Sequence, residues 1–154
     1  MKIIIQNFKE GETIPKEFTC DGANHAPVVY LEDVPKNAKI LALIMDDPDA
    51  PNGTWTHWTA WNLNPAVLEI RQDKLVGTME GGLGSAIEGV TSRGKPGYHG
   101  PCPPSGVHRY YFHVYALDMM LDLKGDGDVS QLRKAMEGHV VAEAEYMGTY
   151  QRGV

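Results

Sequence analysis

Three short stretches of this 154-residue chain gather the side chains that can do chemistry. The first is Asp47-Pro48-Asp49-Ala50-Pro51. Proline locks its own φ and pushes the preceding residue toward extended backbone, so Asp47 and Ala50 are expected to be extended. Two carboxylates would then be aimed by a stiff strand end. The plain alternative is an acidic surface turn, since Asp and Pro are common turn residues. The second stretch is Trp55-Thr56-His57-Trp58. His57 is either a core histidine bonded to backbone or the wall of a pocket, offering an apolar body and one polar tip. The third runs from Gly97-Tyr98-His99-Gly100-Pro101-Cys102-Pro103-Pro104 to His108-Arg109-Tyr110. Glycine permits close approach and exposed N–H groups, and proline stiffens what remains. His108 and Tyr110 are two residues apart at the start of a strand-like run and can point the same way. The alternative here is a structural β-corner.

Other chemistries lack their signatures. No serine sits in a G-x-S-x-G elbow, no phosphate-binding Walker loop appears, and Gly81-Gly82-Leu83-Gly84 is an isolated glycine cluster. An EF-hand loop starting at Asp47 fails, because Pro51 falls at its fifth position and Asn52 where glycine is required. Cys20 and Cys102 are the only cysteines. They can form a bridge, but spacing alone does not show one, and without a C-x-x-C pattern they suggest no zinc site. A zinc site of His57, His108 and an aspartate has no tight ligand spacing behind it, so no metal and no cofactor are expected. The formal net charge of −6 disfavours a general nucleic-acid-binding surface.

The elements that must position these residues are short and joined by many turns, as the scattered Gly and Pro imply. Ile40 to Met45 is a continuous apolar run ending at Asp46-Asp47 and predicts a buried strand. Trp55 to Leu63 predicts another, with Trp55, His57, Thr59 and Trp61 sharing a face. Tyr110 to Leu117 predicts a third, with Tyr110, Phe112, Val114 and Ala116 facing one way and Tyr111, His113, Tyr115 and Leu117 the other. Gly77 to Gly106 reads as a long ordered loop. Asp128 and Gln131 form a capping-box-like start, after which Leu132, Ala135, Met136, His139, Val140 and Met147 predict an amphipathic helix packed on the sheet. With no repeat or linker, residues 1–154 read as a single domain, mostly β. The apolar run Ile3–Ile5 is too short for a signal-peptide core and nothing later spans a membrane, so a cytoplasmic protein is expected.

Read together, these motifs resemble the phosphatidylethanolamine-binding protein family, and more closely its prokaryotic Raf kinase inhibitor-like branch. The residues that carry the resemblance are Asp47-Pro-Asp-Ala-Pro51, Trp55-x-His57-Trp58, Gly97-Tyr-x-Gly-Pro-Cys-Pro-Pro104 and His108-Arg-Tyr-x-Phe112. Thr19-Cys-Asp-Gly22, Ala135-Met-Glu-Gly-His139 and Met147-Gly-Thr-Tyr150 extend it over essentially the whole chain. The resemblance implies a mainly all-β fold, an antiparallel β-sandwich with a C-terminal α-helix at its periphery. It also implies a small pocket for phosphate-like and carboxylate anions, using Asp47, Asp49, Trp55, His57, Gly100, His108 and Tyr110, and it suggests a homodimer.

These expectations make the chain a non-enzymatic binding protein for a small anionic or phosphorylated ligand, with a protein partner such as a kinase in view. A carboxylate beside His108 would favour its protonated form. His57 and His108 would then donate to an oxyanion alongside N–H groups near Gly100, with affinity falling as pH rises through the histidine range. Serine-protease inhibition is a second reading, with the Gly77–Gly106 region as the offered loop. A hydrolase using the Asp/His/Tyr cluster is a third, but it lacks an activated nucleophile.

Overall fold

A computed structural model describes residues 1–75 and 86–153. Part of the Gly77–Gly106 stretch, including the Gly81–Gly84 cluster, lies outside the described residues. In chain order the strands are β1 (Lys2–Ile4), β2 (Val29–Glu32), β3 (Ile40–Asp47), β4 (Trp55–Leu63), β5 (Glu69–Ile70), β6 (Ile87–Glu88), β7 (His108–Leu117) and β8 (Val140–Tyr150). Helix α1 (Val129–Met136) precedes the last strand. The strands form two antiparallel sheets, a three-stranded one ordered β1-β2-β5 and a five-stranded one ordered β6-β4-β3-β7-β8.

The continuous apolar run of β3 is explained by cover on both faces, because every residue from Ile40 to Asp47 is buried. On the inner face, Leu41, Leu43 and Met45 meet Trp58, Tyr110 and Phe112 of the same sheet, and Ile3, Val29, Leu31 and Ile70 of the small one. On the outer face, Ile40, Ala42 and Ile44 pack with Trp61, Leu117 and the helical residues Leu132 and Met136. Fully burying a side chain such as Leu132 stabilises by about 1.5–3 kcal/mol relative to leaving it in water. The parity read for β7 holds, with Tyr110, Phe112, Val114 and Ala116 all in the inner core.

In β4 the parity fails. Met45 pairs with Trp58 but Asp46 pairs with Thr56, so His57 is an extra residue in a bulge. A second shift lies between the Leu41↔Leu63 and Leu43↔Ala60 pairs, where Asn62 takes φ 55°. Each bulge inserts one residue and flips the alternation after it. Trp61 therefore joins the outer core, while the His57 ring meets inner-face Tyr110.

The C-terminal helix is shorter than its apolar spacing predicted. It ends at Met136, and Gly138 at φ 79° turns the chain into β8. His139 lies in the turn, and Val140 and Met147 belong to the strand. Val140-Val141 and the alternation Ala142, Glu143, Ala144, Glu145 favour a strand over continued helix. An eight-residue helix is marginal alone, so α1 depends on packing and on its cap. Asp128 accepts from Gln131 N–H at 2.9 Å, and Gln131 Oε1 accepts from Asp128 N–H at 2.9 Å. Asp128→Ala removes one side of this reciprocal pair. Its expected cost is about 1 kcal/mol in urea unfolding, and an unchanged midpoint would mean that packing alone holds the helix.

Candidate functional site

The site forms where the end of β3, the bulge of β4 and the start of β7 meet. β3 delivers Asp47, which is buried, and the turn after it delivers Asp49. Asp47 Oδ1 accepts from the Asp49 N–H at 2.7 Å, and Oδ2 lies 2.7 Å from His108 Nδ1. His108 Nε2 lies 3.1 Å from the Ser105 carbonyl. Both ring nitrogens thus face acceptors, and Nε2 can serve a ligand oxygen only in place of that carbonyl.

Asp49 is drawn away to Arg109. The Arg109 Nε and Nη2 groups donate to its two oxygens at 2.9 and 2.8 Å, and the Arg109 backbone N–H adds a third bond at 2.9 Å. This fork lowers the Asp49 carboxyl to about 2, because Arg109 bonds only to its charged form.

The bulge turns His57 inward, and the residue is 4% exposed. Its Nδ1–H donates to the His99 carbonyl, and the His99 N–H donates back to the His57 carbonyl at 3.0 Å. Burial lowers His57 to about 4, so the ring is neutral at pH 7. The expectation of His57 as a hydrogen-bond donor to an anion is corrected by this geometry. Its one ring N–H is spent on backbone, and its other nitrogen carries a lone pair.

Tyr110 closes the floor. Its ring meets His57 edge-on at 5.3 Å and stacks beside His108 at 6.4 Å. Its hydroxyl is buried beside the Asp47 carboxylate and the Cys102 backbone, without a well-formed hydrogen bond to either. Burial, then the nearby Asp47 carboxylate, raises its phenol above the usual range, so it remains an O–H donor. Trp55, opposite Asp47 in the register and 40% exposed, stands at the rim.

Gly100 has a different part from the one expected. Its N–H already donates to Asn24 Oδ1 at 2.8 Å, so it is not free for a ligand. A Cβ there would lie 2.0 Å from the Phe18 carbonyl oxygen, so only glycine fits. The same loop is tied to residues 18–24 by Tyr98 Oη donating to the Phe18 carbonyl at 2.7 Å and by Cys20 N–H donating to the Pro101 carbonyl at 3.1 Å. Cys20 and Cys102 are joined as a disulfide. Tyr98, Gly100, Pro101 and Pro103 are buried, so this part of the loop is not an exposed segment offered to a protease.

The structure thus brings Asp47, His57, His108 and Tyr110 together, sets Trp55 at the edge, and commits Asp49 and Gly100 to internal partners. Sequence reasoning missed Arg109, His99 and Asn24. Arg109 alternates off the His108–Tyr110 face, and its only signal was a lone carboxylate at Asp49 that needed a cation. His99 acts through its backbone, which no side-chain motif encodes. Among the described residues, no group of three or more His, Cys, Asp or Glu is placed to hold a metal ion. No helix among them is long and apolar enough to cross a membrane.

The family profile described as phosphatidylethanolamine-binding protein matches residues 4–151. The UPF0098 protein of Methanothermobacter thermautotrophicus is 44% identical over 154 residues, covering 99% of this chain and 100% of that protein. A crystal structure of a phosphatidylethanolamine-binding protein homologue from Chlamydia trachomatis is 39% identical with a TM-score of 0.85, covering 98% of this chain and 97% of that one. Escherichia coli YbcL, described as a member of the mammalian family, is 26% identical with a TM-score of 0.85, covering 97% of each chain. The shared sheets, the profile and this level of identity establish that the chain belongs to the phosphatidylethanolamine-binding protein family.

Proposed function

We propose that the pocket walled by Trp55, His57, His108 and Tyr110 binds a small anionic or phosphoryl group without turning it over, and that binding regulates a partner protein. The observation that carries this reading is the Tyr110 hydroxyl, buried, held protonated and without a well-formed hydrogen bond, with only Asp47 and the Cys102 backbone beside it. A buried donor left unpaired costs free energy and calls for a ligand or water oxygen. Asp47 does not veto an anion, because each of its oxygens already faces a donor.

Calorimetry with phosphoethanolamine on wild type and Tyr110→Phe tests the reading. A hydrogen bond to a charged group contributes about 1.5–3 kcal/mol, so the variant is expected to bind at least tenfold more weakly. Its folding stability should hold or rise by up to about 1 kcal/mol, since the lost hydroxyl makes no well-formed hydrogen bond in the free protein. Equal affinity in the two proteins would remove Tyr110 from the site.

A cytoplasmic location is part of the same proposal, and it requires the Cys20–Cys102 bridge to persist in a reducing compartment, which is unusual outside hyperthermophiles. Alkylation of free thiols in intact cells, read as a mass shift, tests this. Two added groups would mean that the bridge is open there.

A further inference from the structure

We propose that the pocket takes its phosphoryl group in the form that keeps one P–O–H, which donates to His57 Nε2 while Tyr110 donates to another oxygen of the same group. This inference rests on the anion-pocket reading above and names the protonation state that the site selects.

The argument begins with a backbone carbonyl. An amide oxygen can only accept, so the nitrogen of His57 that meets the His99 carbonyl must carry the hydrogen. A neutral imidazole has one N–H, which leaves Nε2 as a lone pair, and no described residue donates to it. The tautomer is held firmly, because His57 and His99 are linked in both directions and their rings stack at 6.0 Å.

The groups facing His57 do not reverse this. Burial outweighs the His99 carbonyl on the loop and Asp47 and Asp46 on β3, all of which favour the charged form, while the charge of the His99 ring opposes it. Tyr110 on β7, itself held protonated by burial and by Asp47 and Asp49, meets the ring edge-on. The floor of the site therefore offers one O–H donor and one lone-pair acceptor.

That pair matches a group with both an acceptor oxygen and an acidic hydrogen. A fully ionised phosphoryl group would set an oxygen lone pair against the Nε2 lone pair with no hydrogen between them. A sulfate ester has no such hydrogen at any ordinary pH. Sites built to bond a ligand hydroxyl reject the analogue that lacks it, because a buried polar group is left unpaired.

The test compares phosphoethanolamine with ethanolamine O-sulfate on the wild-type protein. Near pH 6 both ligands can present a singly charged ester, and they differ in the P–O–H. Phosphoethanolamine should bind at least tenfold more tightly than the sulfate ester. Its affinity should be flat below its second pKa of about 6 and fall tenfold per pH unit above it. Nitrogen-15 NMR of the phosphoethanolamine complex should show His57 as the neutral Nδ1–H tautomer. Equal binding of the sulfate ester, or an imidazolium signal from His57 in the complex, overturns the inference and leaves the anion pocket standing. Binding of neither ester at any pH removes the pocket reading, and this inference with it.

Discussion

Reduction of the Cys20–Cys102 bridge is expected to lower folding stability by about 4 kcal/mol, the largest effect of any single change considered for this chain. The cause lies mostly in the unfolded state. The bridge closes a loop with a sequence separation of 82 residues, and a cross-link of that span removes much of the entropy that unfolding would otherwise release. For a domain of this size the loss corresponds to a fall in Tm of roughly 8–16 °C. Thermal unfolding with and without a phosphine reductant, and of Cys20→Ser, reads it directly. The folded loop also keeps non-covalent ties, through Tyr98 to the Phe18 carbonyl and Gly100 to Asn24. A Tm shift below about 2 °C on complete reduction would mean that those ties already confine the chain and that the entropic account fails. Site geometry should suffer less than stability, since Asp47, His57 and Tyr110 are placed by strands and not by the bridge.

How much of this was legible depended on whether a residue acts through alternation or through an exception to it. β7 was readable, because Tyr110 to Ala116 alternates without interruption and buries one face. The same rule placed Trp61 beside His57, and there it misled, since the bulge at His57 breaks the alternation between them. A bulge leaves little trace in composition, as it arises from how two strands pair and not from one strand's own residues. The C-terminal helix was half legible. Its capping box was a local signal and formed as read, but the apolar spacing beyond Gly138 mimicked a helical period over residues that pair as an edge strand.

The site divides the same way. Asp47, His108 and Tyr110 come together because a strand end and a strand start each place them by position. Their ionisation states could not be read, because they depend on which backbone group each ring meets. The carbonyl of His99 decides the tautomer of His57, and Arg109 rather than any ligand receives the charge of Asp49. The resemblance to a family named residues that meet in this corner of the fold, and the donor role expected of His57 is reversed by its bond to the His99 carbonyl.

That reversal has a consequence for folding that is large and separable from binding. His57 titrates at about 4 in the folded protein, against 6.5 for a free histidine, because burial disfavours its charged form. Between those values the unfolded chain holds the extra proton and the folded one does not. Stability therefore rises with pH through this window, and is lost as pH falls from about 6.5 to about 4. The difference corresponds to about 3 kcal/mol once the window has been crossed. His99 acts in the same direction, since burial lowers it as well. Asp49 does not interfere: its depressed pKa gives a contribution that is intact above pH 4 and is lost only toward pH 2. Urea midpoints between pH 4.5 and 8 should thus decline steadily on the acid side for wild type. In His57→Gln the decline should shrink by most of its size, because an amide has no proton to take up in this range. Parallel profiles for the two proteins would mean that His57 takes up its proton equally well folded and unfolded. The lone pair at Nε2, on which ligand selection depends, would then be gone at mildly acidic pH.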